Sequence, residues 1–355
     1  MTEVDLDEIG GAITNDMKMI RCLRKLGHVD IIYLQKRGCR SMAAALFLYG
    51  FQILGTLSKP YIVYFSRGLF PSFILLLFRP FHGKKLVHEA LSVPFPSGEV
   101  KYFPHSKLES FVRYCLFRFL VRIVLSNVDI VTIAAEDYSM RLMKAGVKKG
   151  DIEVVPFSVG DEFFKQSIKS EVGESFKFCY VGRFHLYHDL LPLVEAFDMV
   201  AQPEKSIELL LVGDGPQRLV VEREVVRRRL GGKIKFAGIV PHSSLPSFLS
   251  KVDCFILFSQ ASGIPISILE AAAAGKAIMT LKRKEDNTLS RYFKHGEEIY
   301  MVNTLSASEI AKALELLYED SQLRNTLARG ARKVAERHFS EDITLNQLQR
   351  LMDSL

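Results

Sequence analysis

Three hydrophobic runs, each ending in a loop that contains glycine, constrain the fold of this chain more than any other feature. The loops read VGR at 181–183, GDGP at 213–216 and GIP at 263–265, and each is followed by a segment with helical periodicity. This is the pattern of a buried strand, a loop and a helix, repeated three times. Because open parallel sheets bind ligands beyond the carboxyl ends of their strands, the pattern predicts a ligand site at these loops.

The first half of the chain shows the same alternation of strand-like and helix-like segments. Helical periodicity covers 13–26 and 41–57, whereas short apolar runs at 29–34 and 130–133 are typical of strands. Strands that alternate with helices indicate parallel sheets. Residues 158–175 are polar, charged and aperiodic, and we interpret them as a linker between two domains.

The composition is that of a globular protein with room for two hydrophobic cores. The 355 residues are 48% hydrophobic and 25% charged, and a chain of this length commonly forms two domains. The five cysteines are scattered, without a C-x-x-C pair or a histidine cluster beside them. This favours reduced thiols in a cytosolic protein over a structural zinc site. The opening segment MTEVDLDEIGG is acidic and polar, unlike a secretory signal.

Two segments raise the question of membrane contact. Residues 41–58 carry no charge and reach the lower length limit of a transmembrane helix, but their polar residues and their place between two predicted strands favour a helix that covers a sheet. Residues 108–125 combine long apolar side chains with Arg113, Arg118 and Arg122. Such a helix either packs on the sheet with its arginines extended to water or lies in the headgroup region of a membrane.

In their order and spacing, the three loops resemble the donor-binding domain of the family 4 glycosyltransferases. The last of them leads into the tripeptide L-E-A at 269–271, as the family's loop does. The resemblance covers residues 176–339 well and residues 10–164 more loosely. It implies the α/β fold called GT-B, in which two Rossmann-like, doubly wound parallel-sheet domains face a cleft.

On this resemblance we expect three parts of the chain. Residues 1–165 would form an acceptor-side domain, and residues 166–339 would form a domain that binds the nucleotide-sugar donor. Residues 340–355 would form a helix that crosses back to the first domain.

The resemblance also implies a retaining, metal-independent glycosyltransferase of the hexosyltransferase type. It would move a sugar from a UDP- or GDP-sugar to a glycan or lipid-linked acceptor, with no metal ion and no cofactor besides the donor substrate. The net charge of +7 suits an anionic diphosphate or an anionic membrane surface. Nucleic acid is not an expected partner, because the basic residues are dispersed and no nucleic-acid-binding motif appears. The expected location is the cytoplasm, with a peripheral contact of 108–125 on the cytoplasmic face of the membrane.

Positive charge is expected at the phosphate from which the sugar departs, because negative charge collects there in the transition state. By resemblance, Arg183 supplies this charge as a catalytic residue. The family places a lysine five positions later, where this chain has His188. An imidazole takes that catalytic role only when it is protonated, and His185 is an alternative. The loop glycines expected beside the donor are Gly182, Gly213 and Gly215.

The family commonly carries two glutamates eight positions apart, and this chain has Ser262 and Glu270 there. Glu270 is expected to accept hydrogen bonds from the ribose hydroxyls, since a carboxylate accepts two such bonds well. Ser262 has no carboxylate, so recognition of the donor sugar would depend on the backbone N–H groups of Gly263 and Ile264. Pro265 suits the first turn of the following helix, whose N-terminus would point at the diphosphate or sugar.

The first domain contributes a histidine and a glycine loop to the expected site. His88, with Glu89 beside it, follows a strand-like run and is a candidate catalytic residue that contacts the donor sugar or the acceptor hydroxyl. The alternative is a hydrogen-bonded histidine of the core. Gly10 and Gly11 match the glycine loop that approaches the donor phosphates at a helix N-terminus. Only nine residues precede that loop, so the first strand is either very short or missing.

His188 and Ser262, which stand where the family has lysine and glutamate, leave two hypotheses open. The first is an active glycosyltransferase. The second is a GT-B-fold protein that binds nucleotide-sugars with weakened catalysis, or a subunit that needs a partner. Arg183, the GDGP turn and Glu270 favour the first.

Overall fold

The computed structural model describes residues 11–30, 50–67, 69–90, 118–166, 175–260, 263–283 and 288–355, with backbone only at 11–17, 67 and 137. These residues form two compact units. The larger unit takes its described residues from 1–25 and 157–346, and the smaller unit from 26–156 and 347–355. The predicted domain limits at 165 and 339 remain predictions.

The smaller unit contains a sheet of four parallel strands in the order β1-β2-β3-β4. Strand β3 shows why these segments form a parallel sheet: all four of its residues, IVTI, are buried, as expected for a strand that is covered on both faces. The strands are β1 (Val63–Arg67), β2 (Lys85–Ala90), β3 (Ile130–Ile133) and β4 (Ile152–Val154).

The larger unit contains six parallel strands in the order β10-β9-β8-β5-β6-β7. A large hydrophobic core packs against this sheet, and a smaller cluster is formed by Cys179, Val212 and Val252. The strands are β5 (Phe176–Val181), β6 (Ile207–Val212), β7 (Ile234–Gly238), β8 (Cys254–Leu257), β9 (Ala277–Leu281) and β10 (Tyr300–Val302).

Helices connect the strands in both units, as parallel connections require. Further helical residues lie at 50–54 and 118–127. Among the described residues, no helix combines the length and the apolar character that a membrane crossing needs. The helices are α1 (Gly11–Leu26), α2 (Leu69–Leu77), α3 (Arg79–His82), α4 (Ser139–Lys144), α5 (Asp161–Phe164), α6 (Leu191–Val200), α7 (Arg218–Arg227), α8 (Leu245–Ser250), α9 (Ile266–Ala273), α10 (Thr288–Tyr292), α11 (Ala307–Glu319), α12 (Ser321–His338) and α13 (Glu341–Ser354).

The order of the six strands fixes where a ligand can bind. From β5 the chain continues outward through β6 and β7, then returns to place β8 on the opposite side of β5. The order therefore reverses between β5 and β8. In doubly wound sheets, ligands bind outside the carboxyl ends of the strands at such a switch point. The loops that follow Val181 and Leu257 meet there.

Part of the predicted linker belongs to the hydrophobic core of the larger unit. Val159 and Phe163 are fully buried in the larger unit, and the Val159 N–H donates to the carbonyl of Phe339 at 2.7 Å. Residues 158–166 therefore belong to a packed domain, because two buried apolar side chains outweigh the polar character of their neighbours. Residues 167–174 lie outside the described part of the chain.

Candidate functional site

The VGR and GDGP loops are held against each other by backbone contacts. The Phe184 N–H donates to the carbonyl of Asp214 at 3.0 Å, and the Gly182 N–H donates to the carbonyl of Val212 at 3.0 Å. Gly213 has φ of 125°, and a Cβ atom added there would lie 2.0 Å from the carbonyl oxygen of Gly182. A Cβ atom on Gly215 would lie 2.4 Å from the carbonyl oxygen of Phe184. Only glycine permits this approach of the two loops.

Arg183 lies on the exposed side of this pair of loops. Its carbonyl accepts a hydrogen bond from the Tyr180 hydroxyl at 2.9 Å, which fixes the backbone at the end of β5. The side chain is exposed, and within the described residues its guanidinium has no hydrogen-bond or ion-pair partner. The arginine is therefore positioned at the switch point with its charge available to an anion.

His188 ends a single 3-10 turn, Leu186–His188, between β5 and α6. Burial lowers the pKa of its imidazole below the usual value, although a hydrogen bond to the backbone of Phe258 opposes the shift. Its Nδ1 atom is buried and has no hydrogen-bond partner among the described residues. In the ligand-free protein the neutral form of this imidazole is therefore favoured near neutral pH. A lysine in the same position would carry a charge.

If the imidazolium of His188 contacts the leaving diphosphate, we expect kcat to fall as the pH rises through its pKa in the donor complex. A neighbouring diphosphate favours the charged ring and raises that pKa relative to the free protein. His188→Lys should move the alkaline limb to higher pH, and His188→Ala should lose most of the turnover. Profiles of kcat against pH for the three proteins on one donor test this. Identical alkaline limbs for the wild type and His188→Lys, with His188→Ala still active, would leave the phosphate to Arg183 and backbone N–H groups.

The GIP loop follows β8 and leads into α9. Gly263 has φ of 82°, a left-handed conformation that favours glycine, and its carbonyl accepts a hydrogen bond from Arg283 Nη2 at 2.7 Å. Ile264 is nearly buried, and Pro265 immediately precedes the first helical residue, Ile266. The N-terminus of this eight-residue helix thus lies at the end of the loop that follows the switch-point strand, a position suited to an anion.

Glu270 is buried in α9 and is paired with two residues that the sequence analysis missed. Lys18 Nζ, on α1, lies 3.4 Å from Glu270 Oε1, and the side chains of both residues are only 4% exposed. His242 Nε2 lies 2.7 Å from the same oxygen. Contacts between residues so far apart in the sequence leave no local pattern. If Glu270 binds the ribose as expected, it does so as a buried carboxylate that already contacts Lys18 and His242.

His88 belongs to the smaller unit and lies within β2, whereas the sequence analysis placed it after a strand. Its side chain is buried, and its Nδ1 atom lies 2.7 Å from the Ser72 hydroxyl oxygen. Burial lowers the pKa of His88 to about 4, so the ring is neutral at neutral pH. These contacts agree with the alternative interpretation, in which His88 is a hydrogen-bonded histidine of the core. A contact of His88 with substrate remains a prediction.

Two expected site residues, Gly10 and Ser262, lie outside the described residues. The residues before Gly10, where a first strand was in question, also lie outside them. Gly11 is the first residue of α1, which agrees with a glycine at a helix N-terminus. Across the described ranges, no group of three His, Cys, Asp or Glu side chains comes together in a way that could hold a metal ion.

The two parallel sheets and the connecting helices define an α/β protein with two parallel-sheet units. Residues 161–334 match the family model of the Glycosyl transferases group 1. Over about half of its length the chain is therefore similar to that family, as the resemblance in the sequence predicted. The narrower placement in family 4 remains a prediction.

Curated relatives agree with this classification. The alpha-D-kanosaminyltransferase of Streptomyces kanamyceticus is 25% identical over 173 residues, which cover 48% of this chain and 43% of that protein. In Arabidopsis thaliana, one of the subunits of phosphatidylinositol N-acetylglucosaminyltransferase is 22% identical over 281 residues, which cover 75% of this chain and 63% of that protein. The chain thus spans less than two thirds of the length of these relatives.

Solved structures confirm the predicted GT-B fold. The HepE protein of Anabaena, in complex with UDP, matches with a TM-score of 0.74 at 16% identity, covering 98% of this chain and 97% of that one. Sucrose-phosphate synthase from Thermosynechococcus elongatus matches with a TM-score of 0.76 at 18% identity, covering 98% and 94% of the two chains.

Proposed function

We propose that the protein transfers a sugar from a nucleoside-diphosphate sugar to a glycan or lipid-linked acceptor. The observation that carries this proposal is the exposed Arg183, whose charge has no partner among the described residues, at the switch point of the larger sheet. A cation held there by a fixed backbone is suited to the leaving diphosphate. The GIP loop and the N-terminus of α9 reach the same edge of the sheet.

The relatives support a UDP-linked donor over a GDP-linked one. The Anabaena protein has been solved with UDP, with UDP and glucose, and with UDP-glucose. The names of two curated relatives specify N-acetylglucosaminyl transfer or synthesis. A UDP-linked hexose or N-acetylhexosamine is therefore the first donor to test.

The proposed chemistry needs neither a metal ion nor an enzyme nucleophile. The bond from the sugar's anomeric carbon to the diphosphate oxygen breaks while Arg183 and the helix N-terminus stabilise the charge on that oxygen. The acceptor hydroxyl attacks from the face that the diphosphate leaves, and its proton passes to the departing diphosphate. The sugar would then keep its anomeric configuration.

A contact with the cytoplasmic face of a membrane would suit a lipid-linked acceptor. In the helical residues 118–127, Val121, Val124 and Leu125 are buried, whereas Phe119 is 60% exposed and Arg122 is exposed. One face therefore packs in the smaller unit while the other offers an aromatic ring and positive charge, a combination that binds headgroup regions. Residues 108–117 of the predicted segment lie outside the described residues.

We expect Glu270→Ala to weaken binding of the nucleoside diphosphate by about 1.5–3 kcal/mol, the range for hydrogen bonds to a charged group. The reason is that the ribose hydroxyls would lose their carboxylate acceptor. Isothermal titration calorimetry with UDP measures the change, after thermal unfolding has shown that the variant is folded. Equal affinities in the wild type and the variant would remove Glu270 from the ribose.

Hydrolysis of donors in the absence of an acceptor tests the proposed function itself. Purified protein incubated with a panel of UDP- and GDP-sugars should slowly release one nucleoside diphosphate if it is a transferase. Retention is then read from the anomer of the sugar product by NMR, and metal independence from equal rates with and without a chelator. Tight donor binding without any release would favour the second hypothesis, a nucleotide-sugar-binding protein or a subunit that needs a partner.

A further inference from the structure

We propose that Lys18 and His242 are positioning residues that hold one carboxylate oxygen of Glu270 and so present the other to the ribose of the donor. Helix α1, at the start of the described residues, would then be part of the nucleotide site through Lys18. This inference rests on the proposed function, and it assigns roles to two residues that the sequence analysis did not single out.

The two oxygens of the Glu270 carboxylate differ in their contacts. Both protein donors use Oε1: His242 Nε2 at 2.7 Å and Lys18 Nζ at 3.4 Å. Among the described residues, Oε2 has no hydrogen-bond partner. A carboxylate oxygen accepts two hydrogen bonds, so Oε2 retains the capacity to bind both ribose hydroxyls while Oε1 remains occupied.

The two donors are themselves held by one buried aromatic ring. Phe163 on α5 is fully buried, and its ring centroid lies 5.7 Å from Lys18 Nζ and 5.4 Å from the centroid of the His242 ring. The ring limits the positions that the ammonium and the imidazole can take. A site whose first contacts are fixed by such supporting residues loses less freedom when the ligand binds.

Charge explains why Glu270 needs this arrangement. A carboxylate that is nearly removed from water loses hydration, and a paired cation offsets much of that cost. Lys18 is the cation that contacts Glu270 within the described residues. Without it, His242 would be left as the single donor to Oε1, and the carboxylate would be free to rotate and offer either oxygen to its neighbours.

Helix α1 has a second attachment that does not involve Lys18. Arg21 Nη1 lies 3.1 Å and Lys25 Nζ 4.0 Å from oxygens of Glu341, and the Cys22 Sγ contacts the carbonyl of the same residue. Removing the ammonium of Lys18 should therefore leave α1 docked, which separates positioning from folding.

The test compares binding of UDP with binding of 2′,3′-dideoxy-UDP by calorimetry, with GDP and its dideoxy form in parallel. Lys18→Met and His242→Leu should each lower the affinity for the ribonucleotide about tenfold or more, equivalent to ~1.4 kcal/mol, and change the affinity for the dideoxy nucleotide less than about twofold. Lys18→Arg and His242→Gln, which keep a donor, should recover most of the lost affinity. Lys25→Met removes the same charge from the same helix without touching Glu270 and should bind both nucleotides as the wild type does.

The outcomes separate this inference from the proposed function. A wild type that binds neither UDP nor GDP contradicts the proposed function. A wild type that prefers the ribonucleotide, with Lys18→Met unchanged, contradicts the positioning role alone. Equal losses of affinity for UDP and for dideoxy-UDP would contradict the positioning role and make Lys18 a structural residue of the larger unit. Tighter UDP binding by Lys18→Met would also contradict it, because Lys18 would then compete with the ribose for Glu270. Thermal unfolding without nucleotide confirms that each variant is folded.

Discussion

Replacing Arg183 by alanine is expected to lower sugar transfer at least about 100-fold, by analogy with the loss of one donor from an oxyanion-stabilising site. The expected cause is the unstabilised charge on the departing diphosphate. The side chain is exposed and has no partner in the described part of the chain, so its removal should leave the stability of the protein almost unchanged. Steady-state kinetics on the donor found in the panel would show the loss mainly in kcat.

Two variants make this result specific. Arg183→Lys keeps the charge but not the planar guanidinium, and it should fall between the wild type and the alanine variant. Arg223→Ala removes an exposed arginine of α7 in the same unit and should leave transfer intact. Near-normal turnover of Arg183→Ala would mean that the diphosphate is stabilised by other groups.

Replacing Gly213 by alanine should destabilise the larger unit by about 3 kcal/mol or more, because residues forced into a left-handed conformation alone cost about 1–3 kcal/mol. The new Cβ would also lie 2.0 Å from the carbonyl oxygen of Gly182, which belongs to the backbone and cannot rotate away. Urea unfolding followed by circular dichroism should show a lower midpoint. Donor binding should weaken as well, since the shift would displace the backbone beside Arg183.

Gly231 provides the matched control. It lies in the same unit, and a Cβ added to it would meet no atom within 4 Å. Gly231→Ala should therefore change the free energy of unfolding by no more than ~0.5 kcal/mol. Equal stability of the two alanine variants would show that the VGR and GDGP loops are not locked together.

The parallel sheets and the loops of the larger unit could be predicted from the sequence because their signals are local, whereas the GT-B fold was implied by the family resemblance. A run such as IELLLV followed by Gly213 identifies a buried strand and the loop at its carboxyl end without knowledge of any distant residue. In a parallel sheet all such ends lie on one edge. The sequence therefore predicts that the loops containing Arg183, Gly213 and Gly263 lie together.

The supports of Glu270 could not be predicted in the same way. Lys18 is 252 positions from its partner, and His242 lies in a short turn without any periodic pattern. The burial of Phe163 was hidden by its charged neighbours. The protonation of His188 depends on how deeply the ring is packed, which is a property of tertiary structure alone.

The ion pair between Lys18 and Glu270 also fixes an order of events during synthesis. Helix α1 leaves the ribosome well before its carboxylate partners, which are made 252 and 320 residues later. At roughly 5–20 residues per second, the wait for Glu270 lasts about 13–50 s. The contacts of α1 with Glu270 and Glu341 can therefore form only after both carboxylates have been made. A chaperone that binds nascent chains would meet α1 without these partners during that interval, which continues after β4 has been made.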